Sequence, residues 1–159
     1  RGNSLLFLDW YSGTAGKTSS EKLSVSSLSD LTGLGTLLSV GISSLGNSSL
    51  VFLDSINPLL AVMSSEQILR FIHAIGARVK GQDGTLFFSS GTALDPDVLS
   101  RFQSISDCII ELEKTELATE VVRRLRIRKI RGQKHSEDWI RFSIEQDEGL
   151  VFYTTRRSA

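Results

Sequence analysis

Four short apolar runs, separated by helical patterns, constrain this chain more than any other feature. They are residues 4–10 (SLLFLDW), 50–53 (LVFL, closed by Asp54), 85–90 (TLFFSS) and 107–112 (DCIIEL). Between the first two, Asp30 can cap a helix over residues 31–45, with Leu31, Leu34, Leu37 or Leu38, and Leu45 on one face. Gly33, Gly35 and Gly41 weaken that helix by roughly 1 kcal/mol each relative to alanine, so packing must compensate. A stronger helix is predicted from Ser64 or Ser65 to about Lys80, with Ile68, Phe71, Ile72, Ile75 and Val79 at helical spacing. Asp95-Pro96 opens a third, running through Phe102 and Ile105. Strand, helix, strand, helix, strand, helix, strand predicts a parallel sheet with helices on both faces. The unbroken run at 50–53 then reads as a central strand buried on both faces. Cys108 is expected to pack in the fourth strand as a small apolar residue.

The tail follows another pattern. Residues 121–131 (VVRRLRIRKIR), 139–144 (WIRFSI) and 149–154 (GLVFYT) read as strands with no helix between them, and residues 145–149 as a hairpin turn. Antiparallel ribbons continuing or flanking the sheet are predicted there.

Asp54 stands at the carboxyl end of its strand, where open α/β sheets bind ligands. A carboxylate so placed suits the Mg²⁺ of a bound nucleotide; it equally suits a helix cap or turn. Residues 11–29 read as a polar loop containing Gly16-Lys17-Thr18. A phosphate loop follows G-x-x-x-x-G-K-[ST] because its glycines let backbone amides cradle phosphates, and here Tyr11 fills the first glycine position. The favoured reading is a polar loop after a strand. In the basic segment, a two-residue period puts Arg123, Leu125, Ile127, Lys129 and Arg131 on one face. The apolar members anchor it, so Lys129 and Arg131 reach beyond toward an anion. The alternatives are cations solvating a strand edge, or pairing with Glu111, Glu113, Glu116 and Glu120.

Length and composition add bounds. At 159 residues the chain has room for one domain with a core. Lysine plus arginine balance aspartate plus glutamate at 18 each, which argues against nucleic-acid binding through residues 123–134 as the main activity. A single cysteine excludes an internal disulfide and fits a reducing, cytoplasmic setting. No apolar run nears the ~20 residues of a membrane span. His73, His135 and Cys108 show no ligand spacing, so metal catalysis through them is not expected. The chain opens on Arg1 and almost at once on a strand, which reads as a fragment of a larger domain.

FLDSINPLL, ILRFIHAI, GTLFFSSGT, SDCIIEL and LRIRKIRGQKH with WIRFSI occur in that order. The series resembles the KaiC-like branch of the RecA-type ATPases, especially archaeal KaiC-domain proteins, over about two thirds of the chain, from residue 50 onward. Its most specific piece is Lys129-Ile130-Arg131-Gly132 with His135, close to that family's K-M-R-G-x-x-H. The resemblance implies a RecA-like three-layer αβα fold with a mostly parallel central sheet and C-terminal antiparallel strands. It implies one such domain over residues 1–159, lacking the N-terminal phosphate-loop portion. It further implies a hexameric ring binding ATP and Mg²⁺ at subunit interfaces. Asp54 of the Walker B strand would orient Mg²⁺ with Ser55 beside it, Ser90 and Thr92 would match the sensor position, and Lys129 and Arg131 would reach the γ-phosphate bound by a neighbouring subunit. That family's catalytic glutamates follow the strand corresponding to residues 4–10. Here Asp9, Trp10 and Tyr11 stand there, leaving Asp9, with its shorter side chain, as the candidate base. Without the glutamate pair, a non-catalytic scaffold subunit of the Elongator type is the alternative.

Overall fold

The computed structural model describes residues 5–27, 29–91, 94–118 and 120–153. They form two compact units, Arg1–Phe102 and Gln103–Ala159.

The first unit contains β1 (Leu8–Asp9), α1 (Tyr11–Thr14), β2 (Leu23–Ser24), α2 (Leu31–Leu45), β3 (Leu50–Leu53), α3 (Asn57–Leu60), α4 (Ser65–Lys80) and β4 (Thr85–Phe88). The unit boundary falls inside α5 (Pro96–Ile105). Both long helices begin where their caps predict. The Asp30 carboxylate accepts from the Gly33 amide at 2.8 Å. Ser64 and Gln67 form a reciprocal capping box on α4, which satisfies two amides that a bare helix start leaves unpaired. The apolar faces of α2 and α4 then meet: Leu34, Leu38, Ile42, Ile68, Phe71, Ile72, Ile75 and Val79 are all buried. Fully burying Ile68 contributes about 1.5–3 kcal/mol.

β3 and β4 pair in parallel, from Leu50 opposite Thr85 to Leu53 opposite Phe88, and β1 and β2 form a second parallel pair. The expectation of a strand buried on both faces fails. Val51 and Leu53 turn into the core, while Leu50 and Phe52 are 59% and 66% exposed. Phe52 stacks on Phe87, with ring centroids 4.8 Å apart, on that outer face. Strand side chains alternate sides, and among the described residues the helices cover only one of them. β1 is likewise shorter than residues 4–10, and Leu5 and Phe7 are exposed.

The second unit is an antiparallel sheet in the order β5 (Cys108–Glu116), β6 (Val121–Ile130), β7 (Ile140–Glu145), β8 (Gly149–Tyr153). The antiparallel tail is as predicted. β5, however, joins it instead of extending a parallel sheet. Opposite charges across the two strands explain the pairing: Glu113 stands against Arg124, and Glu111 against Arg126. Cys108 is exposed, not packed. Ile110, Leu112, Ile144, Leu150 and Phe152 are also exposed, so this sheet turns an apolar side outward. Among the described residues no helix is long and apolar enough to cross a membrane.

Candidate functional site

Two parallel strands ending side by side put their last residues together. After β3 come Asp54 and Ser55; after β4 come Ser89 and Ser90. The backbone ties the two ends. The Ser89 amide donates to Leu53 O and the Ile56 amide to Ser89 O, each at 3.0 Å. Ile56 and Leu59 are fully buried beneath, so the turn after Asp54 is anchored by its own apolar residues. The Asp54 side chain is exposed, and its Oδ1 accepts a hydrogen bond from the Ser89 hydroxyl at 2.5 Å. Asn57 Oδ1 accepts from the Gly91 amide at 3.0 Å, closing the rim. A Cβ at Gly91 would lie 2.7 Å from Asn57 Nδ2, so a larger residue there would displace the Asn57 amide. Of the predicted residues, Asp54, Ser55 and Ser90 are brought together, and Thr92 lies outside the described residues. Ser89 is the residue that sequence reasoning missed. It sits one position before the expected Ser90, and the only signal for it was a run of small polar residues at a strand end.

Asp9 closes β1 in a different setting. Its Oδ1 accepts from the Tyr11 and Ser12 amides at 2.9 and 3.0 Å, and its Oδ2 from the Ser19 hydroxyl at 2.7 Å. Hydrogen bonds from Ser12, then Ser19 and the Tyr11 amide, hold this carboxyl well below the usual carboxylate range. Donors that stabilise the anion make it a poorer base. The geometry is that of a residue holding the turn into α1. The phosphate-loop lookalike also takes the alternative form. A helical turn precedes Gly16-Lys17-Thr18, no helix follows, and the Lys17 amide donates back to Ser12 O at 2.8 Å.

Lys129 and Arg131 belong to the second unit. A register shift between Ile109 and Ile110 leaves Arg128 as an extra residue, so Lys129 stands opposite Ile109. A one-residue bulge reverses the alternation. Lys129 therefore falls on the face of Ile109, Glu111 and Glu113 and does not share that of Leu125 and Ile127, as strict periodicity predicts. Its Nζ donates to Gln103 O at 2.9 Å. Arg131 donates through Nη2 to Ser104 O at 3.4 Å and pairs through Nη1 with Asp107 Oδ1 at 2.9 Å. Neither cation projects freely. Upstream, Arg124 meets Glu113 in a two-point contact, both bonds at 3.0 Å, and Arg126 and Arg128 each reach Glu111 at 2.6 Å. The guanidiniums of Arg124 and Arg126 each lie 4.7 Å from the Trp139 ring centroid. Burial pushes the Glu111 carboxyl up, but the hydrogen bonds and charges of Arg128 and Arg126 outweigh it and leave it below its ordinary value. His73 is exposed on α4, and His135 Nδ1 lies 3.2 Å from Gln133 O.

This is a mixed α/β protein with parallel and antiparallel sheets, of a fold similar to the crystal structure of KaiC-like protein PH0186 from the hyperthermophilic archaeon Pyrococcus horikoshii OT3. The TM-score is 0.61 at 19% identity, covering 89% of this chain and 64% of that one. The chain thus spans less than two thirds of the length of that structure. It belongs to the DUF7504 family, a family of unknown function, whose model matches residues 9–112. The matched stretch includes Asp54, Ser55, Ser89 and Ser90 and stops short of Lys129 and Arg131. No curated protein matches the sequence.

Proposed function

We propose that this chain is part of a KaiC-like, RecA-type nucleotide-binding domain, and that Asp54 faces the Mg²⁺ of bound ATP. The carrying observation is the exposed Asp54 carboxylate, held by Ser89 at the paired ends of two parallel strands. Mg²⁺ takes one or two carboxylates together with waters and phosphate oxygens. Asp54 can supply one carboxylate, since Oδ1 alone is engaged by Ser89, and Ser55 and Ser90 follow at the same two strand ends. No phosphate cradle is found among the described residues, so a loop from elsewhere in the domain has to supply it. When bound, Mg²⁺ would neutralise charge on the phosphates. Ser89 would keep Asp54 turned outward, with Ser55 and Ser90 next to it at the strand ends.

In this reading the domain, a single one over residues 1–159, completes a three-layer αβα fold and assembles as a hexameric ring. Lys129 and Arg131 of one subunit serve the γ-phosphate bound by the next. Both cations are engaged within their own unit in this state, so that role requires them to change partners. The test is ATP hydrolysis by the full-length protein. Arg131→Ala should lower turnover on the order of a thousandfold, as removal of an arginine finger does. An unchanged rate would remove the finger role.

A second reading has its own support. Asp9 is committed to a turn, and no other carboxylate follows β1 closely. A non-catalytic RecA-like scaffold subunit would bind nucleotide weakly or not at all, and full-length protein without turnover would favour it. Nucleic-acid binding through β6 is the least supported, because Arg124, Arg126 and Arg128 are already paired with Glu111 and Glu113.

A further inference from the structure

The carboxyl end of α5 and the turn into β5 hold both cations of the Lys129-Ile130-Arg131 segment. The last turn of a helix leaves carbonyls without intrahelical donors and carries a partial negative charge. Lys129 Nζ takes Gln103 O at 2.9 Å, and Arg131 Nη2 takes Ser104 O at 3.4 Å. One residue beyond Ser106, Asp107 contacts Arg131 twice. Its carboxylate pairs with Nη1 at 2.9 Å, and its carbonyl accepts the Arg131 amide at 2.8 Å. The bulge at Arg128 makes this possible, because without the register shift Lys129 would point to the other face of the sheet. The backbone contact fixes the segment. The side-chain contacts are exchangeable: Arg131 and Asp107 are each 60% exposed, and exposed ion pairs are weak.

We propose that Asp107 is a positioning residue that latches Arg131 against the end of α5. An incoming polyphosphate must outcompete the Asp107 carboxylate to engage Arg131. This rests on the reading of Lys129 and Arg131 as phosphate-reaching cations, and it adds that the availability of Arg131 is regulated from within the same unit. An oxyanion with several negative charges can offer Arg131 a two-point contact at higher charge than the single Nη1–Oδ1 contact of Asp107, so exchange is favourable where a phosphate chain is presented. Asp107 thereby sets the threshold at which Arg131 is released.

The test is calorimetric titration of the full chain with inorganic triphosphate, which does not depend on ATP turnover. Asp107→Asn should bind about three- to fivefold tighter, the worth of an exposed ion pair. Asp107→Glu should return affinity to the wild-type level by restoring a carboxylate. Asp107→Asn combined with Arg131→Ala should lose the gain. Glu145→Gln, which removes one charge elsewhere on the same unit, should show no gain, and that separates a latch from a general field effect. The guanidinium Nε–H resonance of Arg131 should move in Asp107→Asn and recover in Asp107→Glu. Equal affinities for wild type and Asp107→Asn, a gain that survives loss of Arg131, or triphosphate binding undetectable in every variant would overturn the latch. Absence of ATP binding by full-length protein, with the Asp107–Arg131 coupling intact, would remove the nucleotide reading and leave the latch standing.

Discussion

The two units use charge in opposite ways. In the first, apolar residues fill the interior and an unpaired-looking carboxylate, Asp54, stands at a strand end with a single serine donor. In the second, three cations of β6, Arg124, Arg126 and Arg128, are matched to glutamates of β5, and the half-buried side of the sheet is the charged one. An exposed charge with a single hydroxyl partner is available for a ligand. A charge with two strong partners is part of the framework. The contrast separates Asp54, with one hydroxyl donor, from Asp9, which accepts from two amides and a hydroxyl.

Within the first unit, the largest expected effect is at Asp54. Asp54→Asn in full-length protein should reduce ATP turnover on the order of a hundredfold or more while leaving the fold intact. Next comes the core. Ile68→Ala, at a side chain with no exposure, should cost about 2–5 kcal/mol of stability in urea unfolding. A smaller loss would mean that α4 is less well packed than its burial suggests. Glu111→Gln should cost about 1–3 kcal/mol, because Arg126 and Arg128 lose a shared partner. The smallest is Ser64→Ala, expected to cost about 1 kcal/mol through loss of the α4 cap.

The glutamate ladder also sets a pH dependence. The Glu111 carboxyl is lowered in the folded chain, so its contribution is complete above its ordinary value of 4.5 and is lost as pH falls through the lowered value. Acid unfolding of wild type should therefore show this loss below about pH 4.5, and Glu111→Gln should flatten the curve there. A parallel acid profile for the two proteins would place Glu111 outside the stabilising network.

Helices were the most legible part of the fold. Residues 31–45 and Ser64 to Lys80 carry a cap, a periodic face and an end signal within one local stretch, and α2 and α4 run as those signals say. Strands were less legible, because strand partners lie far apart in sequence. The run LVFL cannot reveal that only Val51 and Leu53 face a helix layer. DCIIEL reads as a parallel strand until the Glu111 and Glu113 pairings with β6 are counted, and those alternating charges were visible in the sequence. The bulge at Arg128 was not, since an extra residue in one strand shows only against its partner. At the candidate site, the position of Asp54 and Ser55 directly after a strand was legible from a carboxylate closing an apolar run. Ser89 was hidden among equivalent serines, where one residue of register decides which hydroxyl meets Asp54.

Titration of MgATP into full-length protein, wild type against Asp54→Asn, with and without chelator, tests the role of the β3–β4 strand ends most directly. Magnesium-dependent binding by wild type that is lost in a folded Asp54→Asn variant is expected. Equal binding by the two proteins, or binding indifferent to magnesium, would contradict it.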